Sequence, residues 1–584
     1  MHQNSSQNLL RLNLEMSNIT ACPLDCYDAC EIVYENNKIT ALKDGHTGGF
    51  LCPHLNHYEK FKQITKPSYN GVEISLDEAL EKLKDIIKET SKDKILFYKS
   101  SGNFGLMQDV TGHFFASFGA TLTDGNLCDG AGEAGILEGR GSNKNMPLSE
   151  IAKSEVVIIW GRNPHTTSSH LLPLLKDKTI IVIDPVKTKI AKMADLHIQI
   201  KPHTDLQLAM FLSRFLHIEG SCDEDYLEEF ASEYEDFYEL TQTLRIKKTL
   251  DKIDVDLGDI GKILAFIKDK KVAIVCGLGI QKYRNGADVM RAIDAFAVNL
   301  SLFGKEGCGV AYLGNSREAI ESPFNLKSKK VSKVDTKFSD FNTVFIQGAN
   351  PLSQMPDTLR VQKEIDSVEN IVYFGTQENE SSQKANLIIP AKNFLCKDDI
   401  RVSYSHPKIS IMEKVKDSDY GISEYDLSAY LCKEFGIELK CEEEYLEHFK
   451  SFESREIESI PYKDGFDTDD NEFLFLEELE LPKIKSDAIY LITCKSPKSL
   501  NSQFKREDKV YLNSSFGYET NDLVTISSEN GSVSLHVEIN EDLRDDCVLI
   551  YSGTKGVNNL TTSLHSYEGK GAIYQENVVK VSKI

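Results

Sequence analysis

With 584 residues, 41% of them hydrophobic and 27% charged, the chain has the composition of a globular protein and the length of about three to five domains. A formal net charge of −23 argues against nucleic acid, which needs a basic stripe that is not present, and against docking on anionic lipid. No run of about 18 apolar residues is present, so no direct membrane span is expected, and residues 1–20 are polar without an apolar signal core or twin arginine, so a cytoplasmic location is expected. Of the 13 cysteines, Cys276, Cys432, Cys494 and Cys547 sit inside apolar runs and read as reduced, buried thiols.

In chain order, the first informative stretch is a quartet, Cys22, Cys26, Cys30 and Cys52, spaced C-x3-C-x3-C-x21-C. Residues 32–34 and 39–42 are β-prone, and Glu35-Asn36-Asn37-Lys38 between them is turn chemistry, so a hairpin is expected to return Cys52 to the other three. Four thiolates at such spacing suit a 4Fe–4S cluster or zinc; three plus one, followed by Cys-Pro, leans towards the cluster.

Ser75 is an expected N-cap for a helix with Leu80, Leu83, Ile86 and Ile87 at helical spacing. Residues 94–98 read as a buried strand running into Ser100-Ser101-Gly102-Asn103-Phe104-Gly105, a small-residue turn, and then a helix over 107–118. Next stands Cys128-Asp129-Gly130-Ala131-Gly132-Glu133-Ala134-Gly135, where small neighbours suggest room for something bulky on the sulfur, or else a tightly packed turn.

From residue 155 strands alternate with helices. Apolar runs at 156–160, 179–183 and 197–200 end in Gly161-Arg162-Asn163-Pro164, Asp184-Pro185 and Pro202-His203-Thr204-Asp205. Runs of this kind, with helical crossovers, make a parallel doubly wound sheet that binds ligands at its carboxyl ends, where Gly161, Asn163, Asp184 and Asp205 fall. A further strand at 271–276 is followed by Gly277-Leu278-Gly279, a weak nucleotide signal alone. The pattern then repeats: a strand at 343–347 ends in Gly348-Ala349-Asn350-Pro351, another at 370–374 leads to Gln377, and Ala385-Asn386-Leu387 echoes Ala194-Asp195-Leu196. Two related α/β units follow from this. Residues 441–486 are acidic and poorly periodic and read as a linker. Six short β-prone runs between 487 and 584, with a hairpin signal at Asn530-Gly531, read as a β-barrel-like domain with amides and hydroxyls at Asn501, Ser502, Asn513, Asn558 and Asn559.

Taken together, these pieces resemble the molybdopterin oxidoreductases, the dimethyl-sulfoxide-reductase and formate-dehydrogenase superfamily. The resemblance implies an α/β multidomain fold. It comprises a 4Fe–4S domain at 18–73, an α/β domain from 74–135 with 340–440, a second at 136–339, the acidic linker at 441–486, and a dinucleotide-binding β-barrel cap at 487–584. It implies a bis-molybdopterin guanine dinucleotide carrying molybdenum or tungsten, bound through Gly161, Asn163, Asp184, Thr204, Asp205, Gly277, Gly279, Gly348, Asn350, Gln377, Asn501, Ser502, Asn513, Asn558 and Asn559. Cys22, Cys26, Cys30 and Cys52 would hold the cluster. Cys128 matches the segment where formate dehydrogenases carry their metal-ligating (seleno)cysteine, so Cys128 and Asp129 are the expected catalytic pair. The activity implied is electron transfer between a small-molecule substrate and a redox partner, which would be an iron–sulfur or flavin protein or a quinone-linked subunit.

Three departures bear on this. The histidine after the ligand is Asp129 here, the lysine that often follows Cys-Pro is His54, and the usual Pro-Gly-Thr-Asp carries His203. Asp129 weakens a formate assignment and suits proton transfer. A non-catalytic iron–sulfur electron-transfer or scaffold subunit, a non-redox hydratase on the same cofactor, and a zinc-stabilised dinucleotide-binding protein are the alternatives.

Overall fold

The computed structural model describes residues 18–584 except 25, 27, 46, 57, 59–61, 101–104, 232, 405–407, 455–457 and 483–486; most of the small-residue turn after residue 100 therefore lies outside the described residues. The N-terminal unit is an antiparallel meander, Ile19–Ala21, Glu31–Glu35 and Lys38–Ala41. Asn36 and Asn37 both take positive φ, the two-residue turn that matches strand twist, and so form the expected hairpin. The loop of the first three cysteines leaves one strand and enters the next, closed by Cys22 N–H donating to Cys30 O at 2.8 Å. Phe394, Leu395 and Met412 of the following α/β unit complete this small core.

Two parallel sheets form the body. One has five strands in the order Leu196–Ile198, Thr179–Ile183, Val156–Trp160, Val272–Cys276, Gly309–Ala311. Its central strand sends Val156, Ile158 and Trp160 into one apolar core and Val157 and Ile159 into another, which explains an unbroken apolar run. The other has six parallel strands, Lys330–Ser332, Thr121–Asp124, Ile95–Lys99, Thr343–Gln347, Asn370–Gly375 and Leu387–Pro390, extended by the antiparallel hairpin Ser68–Tyr69 and Val72–Glu73. The hairpin at 68–73 and the strand at 330–332 thus join this sheet from outside the expected 74–135 and 340–440 segments. The helix Leu76–Glu89 begins with a reciprocal Ser75–Glu78 capping box, a device worth about 1 kcal/mol.

The repeat is visible bond by bond. Gly161 N–H donates to Ile183 O and Gly348 N–H to Phe374 O, each at 2.8 Å. Asp195 and Asn386 each accept from the backbone of the neighbouring strand, at Ile180 and Ile371, both at 2.8 Å. The echo of Ala-Asp/Asn-Leu is a shared brace between adjacent strands.

The described residues between 441 and 482 are not a solvated linker. They carry a helix, Glu442–Lys450, and bury Tyr462, Phe466, Phe473 and Phe475 in the core of the five-stranded unit. Single aromatics among acids, without a period, give the sequence no amphipathic signal. The C-terminal strands close into a six-stranded barrel in the order Ile489–Ile492, Cys547–Leu549, Lys509–Leu512, Ser532–Ile539, Leu523–Ser527, Val578–Lys583. Among the described residues no helix is long and apolar enough to cross a membrane.

Candidate functional site

The carboxyl ends of the five-stranded sheet, the cysteine loop and the barrel loops surround one cavity of about 850 Å³. Cys22, Cys26, Cys30, Cys52 and Cys128 all line it, with Gly161, Asn163, Asp184, Asp205, Gly277, Gly279, Asn501 and Asn558. The second Gly-x-Asn-Pro turn faces a separate space of about 120 Å³, lined by Gly348, Asn350, Gln377, Asn501, Ser502, Lys397 and Glu424.

The four N-terminal thiols stand close enough to raise one another's pKa. Burial pushes Cys22 up to about 12, with Cys52 adding to it, and burial likewise pushes Cys26, Cys30 and Cys52 up. As a donor set they need cationic charge to exist as thiolates, which fits an iron–sulfur cluster. Among the described residues no group of three or more His, Cys, Asp and Glu could hold a single metal ion. A cubane asks for a wider set, because each thiolate binds a different iron, whereas four ligands of one zinc crowd around it at about 2.3 Å. Asp28, within this loop, meets His170 of the first α/β unit at 2.6 Å. His54 packs 5.5 Å from Phe504 of the barrel, and burial lowers its pKa.

Cys128 caps the loop before the helix Gly130–Arg140, and its Sγ–H points to Asp129 Oδ1 at 3.0 Å. Gln281 clamps this turn, accepting from Gly132 N–H at 3.0 Å and donating to Cys128 O. The small residues here serve packing rather than space above the sulfur. A Cβ on Gly135 would stand 2.2 Å from Ala287 O, and one on Gly130 2.4 Å from Gly569 O of the barrel domain. Asp129 lies behind the turn and does not line the cavity.

In the first cradle Gly161 has φ +62°, and a Cβ on Gly277 would stand 1.8 Å from Gly161 O. Only glycine lets these two turns cross. Asn163 Oδ1 and His165 Nδ1 are buried without a hydrogen-bond partner among the described residues. Trp160 Nε1–H donates to Asp205 at 2.8 Å, and Val186 N–H donates to Asp184 at 2.8 Å. Burial nevertheless raises Asp184 to about 7 and Asp205 to about 6, with Asp205 adding to the rise at Asp184. Lys187, Lys189 and Lys192 stand on the rim, Lys192 paired with Asp542 of a barrel loop. Unfilled polar atoms, buried acids and a basic rim fit a polar, phosphate-bearing ligand such as a dinucleotide.

Three expected ligand residues do not line either space. Thr204 is fully buried and donates to Lys201 O at 2.6 Å, turning the chain into its helix. Asn513 donates to Leu543 O at 2.9 Å and so braces the barrel loop that covers the first cradle. Asn559 lies against the barrel hairpin, 3.4 Å from Ser532 O. Conversely, Lys282, Lys333, Lys495, Tyr98 and Tyr574 line the large cavity and went unrecognised in sequence. Lys282 follows a Gly-x-Gly turn, a signal that was available; Lys333 sits in an irregular stretch with none.

A family model for molybdopterin oxidoreductases matches residues 72–425, more than half of the chain, so this chain belongs to that family, which binds molybdopterin with molybdenum or tungsten. The chain is 27% identical over 430 residues to the probable oxidoreductase YyaE of Bacillus subtilis, an alignment covering 66% of this chain and 64% of that protein. It is 24% identical to the assimilatory nitrate reductase catalytic subunit of Bacillus subtilis, over 64% of this chain and 62% of that one. It is also 24% identical to formate dehydrogenase H of Escherichia coli, over 50% of this chain and 46% of that one. Among solved structures, acetylene hydratase from Pelobacter acetylenicus has the same fold, with a TM-score of 0.77 over 97% of this chain and 100% of that one, at 14% identity.

Proposed function

We propose that this chain is a molybdenum- or tungsten-pterin oxidoreductase that passes electrons between a small substrate beside Cys128 and a 4Fe–4S cluster on Cys22, Cys26, Cys30 and Cys52. The supporting observation is that Cys128 and all four N-terminal thiols line one cavity with the first nucleotide cradle. When bound, the metal with its dithiolenes would supply the two-electron centre and the cluster a one-electron relay.

The chain's own contribution is positional. Cys128 Sγ is the soft donor for the metal, and Asp129 Oδ1, 3.0 Å away, is placed to hold the thiol proton as that donor ionises. Asp184 and Asp205 accept from N–H groups of a guanine base, Gly161 and Gly277 admit the ligand close to the backbone, and Asn501 and Asn558 contact it from the cap. Gly348, Asn350, Gln377 and Ser502 form the second cradle for a second dinucleotide. A redox partner, an iron–sulfur or flavin protein or a quinone-linked subunit, exchanges electrons at the cluster.

The test is metal and pterin analysis of anaerobically purified protein, followed by dye-linked turnover with formate, nitrate, thiosulfate and S- or N-oxides. Cys128→Ala is expected to reduce turnover to background while iron content stays unchanged. Turnover that survives removes Cys128 from its role; iron without molybdenum, tungsten or pterin removes the catalytic reading. A second reading, hydration of an unsaturated substrate on the same cofactor, is favoured by the Cys128–Asp129 contact and by the whole-chain fold likeness to acetylene hydratase. Product formed without dye reduction would select it.

A further inference from the structure

Two ammonium groups reach the Cys128 end of the cavity from different units of the fold. Lys333 follows the edge strand Lys330–Ser332, is 7% exposed, and extends inward until its Nζ lies 5.8 Å from the Tyr98 ring centre. Lys282 comes from the turn after Val272–Cys276, and its Nζ lies 5.0 Å over the Tyr574 ring. Tyr574 is itself fixed, donating to Gln354 O at 2.6 Å. Both lysines line the cavity that Cys128 lines.

Neither ammonium group forms a hydrogen bond or an ion pair with any described residue, although both backbones are hydrogen-bonded, Lys333 N–H to Asp124 O at 2.9 Å among them. That is notable in a chain with 90 acidic residues against 67 basic ones, where other inward lysines are matched: Lys397 with Glu424, Lys99 with Asp109. A ring face compensates a buried ammonium only in part, about 0.5–2 kcal/mol. Withdrawing the charge from water costs several times that unless a counter-charge arrives. Burial lowers both amines to about 8, which leaves them protonated at neutral pH. The anionic groups nearest in effect are Cys128 with Asp129 for Lys282, and Cys128 with Asp124 for Lys333. The rim cations of the first cradle, Lys187 and Lys189, belong to the loop after Asp184-Pro185, a different part of the cavity lining.

We infer that Lys333, assisted by Lys282, receives a small oxyanion beside Cys128, so that this centre selects a carboxylate- or nitrate-like substrate over a neutral S- or N-oxide. A lysine serves here as a point charge that can meet either geometry of oxygen atoms. This inference rests on Cys128 being the catalytic metal ligand, and its test is arranged to separate the two.

Anaerobically purified holoenzyme, Lys333→Gln and Lys333→Arg are titrated by calorimetry with sodium formate, sodium nitrate and dimethyl sulfoxide, and metal and pterin are assayed on each preparation. The expected result is binding of at least one anion and none of the sulfoxide. Lys333→Gln should weaken the anion about tenfold or more, and Lys333→Arg should recover most of the loss, at unchanged metal and pterin content. Sulfoxide binding as tight as the anions, no anion binding to the wild type, or an unchanged anion affinity in Lys333→Gln overturns the proposal. So does loss of pterin in Lys333→Gln, which would assign the lysine to the cofactor. Wild-type protein devoid of metal and pterin would instead overturn the underlying function.

Discussion

In the first cradle Asn163 leaves its Oδ1 buried and unbonded among the described residues. In the second, Asn350 commits both ends of its amide, donating to Glu380 at 2.8 Å and Ser502 at 3.0 Å and accepting from the Ser381 hydroxyl at 2.9 Å. Burial pushes the Glu380 carboxyl up, but the Asn350 hydrogen bond and Arg506 of the barrel domain, at 2.6 Å, together hold it below its usual value. Among the described residues the acids of the first cradle pair with no such cation, and burial drives them the other way. The open space differs accordingly, about 850 Å³ against about 120 Å³. One backbone plan has therefore been given two preparations. The first keeps unsatisfied groups worth about 1–3 kcal/mol each, recoverable when a ligand arrives. In the second the corresponding asparagine is satisfied, so a ligand taking it must exchange existing contacts for new ones, although Gln108 Nε2 and Gln347 Oε1 in the same lining have no partner among the described residues.

The largest expected effect tests whether the two turns really differ in crowding. Gly277→Ala places a Cβ 1.8 Å from Gly161 O and should destabilise the protein by about 3 kcal/mol or more, read by chemical unfolding. An unchanged midpoint would mean the first cradle is looser than described. Next comes charge. With Asp184 and Asp205 raised by burial, the folded ligand-free protein holds protons that the unfolded chain releases, so stability should fall as pH rises from about 4 to about 7. Asp184→Asn should flatten that slope and stabilise the ligand-free protein at pH 8 by about 1–3 kcal/mol, and a slope that persists would point to other groups. The smallest effect belongs to the second turn. Gly348→Ala meets nothing within 4 Å and bears only the strain of φ +56°, about 1–2 kcal/mol. A cost equal to that of Gly277→Ala would erase the contrast.

What the sequence carried was backbone. Strands buried on both faces, the paired Gly-x-Asn-Pro turns and the six barrel strands were readable because period and turn chemistry are local. The correspondence of Asp195 with Asn386 was readable too, although its bracing function needed the neighbouring strand. The crowding around Gly130 and Gly135 was not, because the atoms that demand it, Gly569 O and Ala287 O, lie far along the chain. Nor was Lys333, since an isolated lysine in an irregular stretch looks like any surface lysine until the fold encloses it. Thr204 and Asn513 show the converse: polar side chains at ligand-facing motifs were consumed by the backbone itself.

The chain contains a single tryptophan, and it is Trp160, fully buried at the mouth of the first cradle with its indole N–H on Asp205. Its emission is thus an internal gauge of one of the two proposed nucleotide sites and not its twin. Filling, emptying or titration of that site can be followed in unlabelled protein, while events confined to the other half of the molecule should leave the signal still.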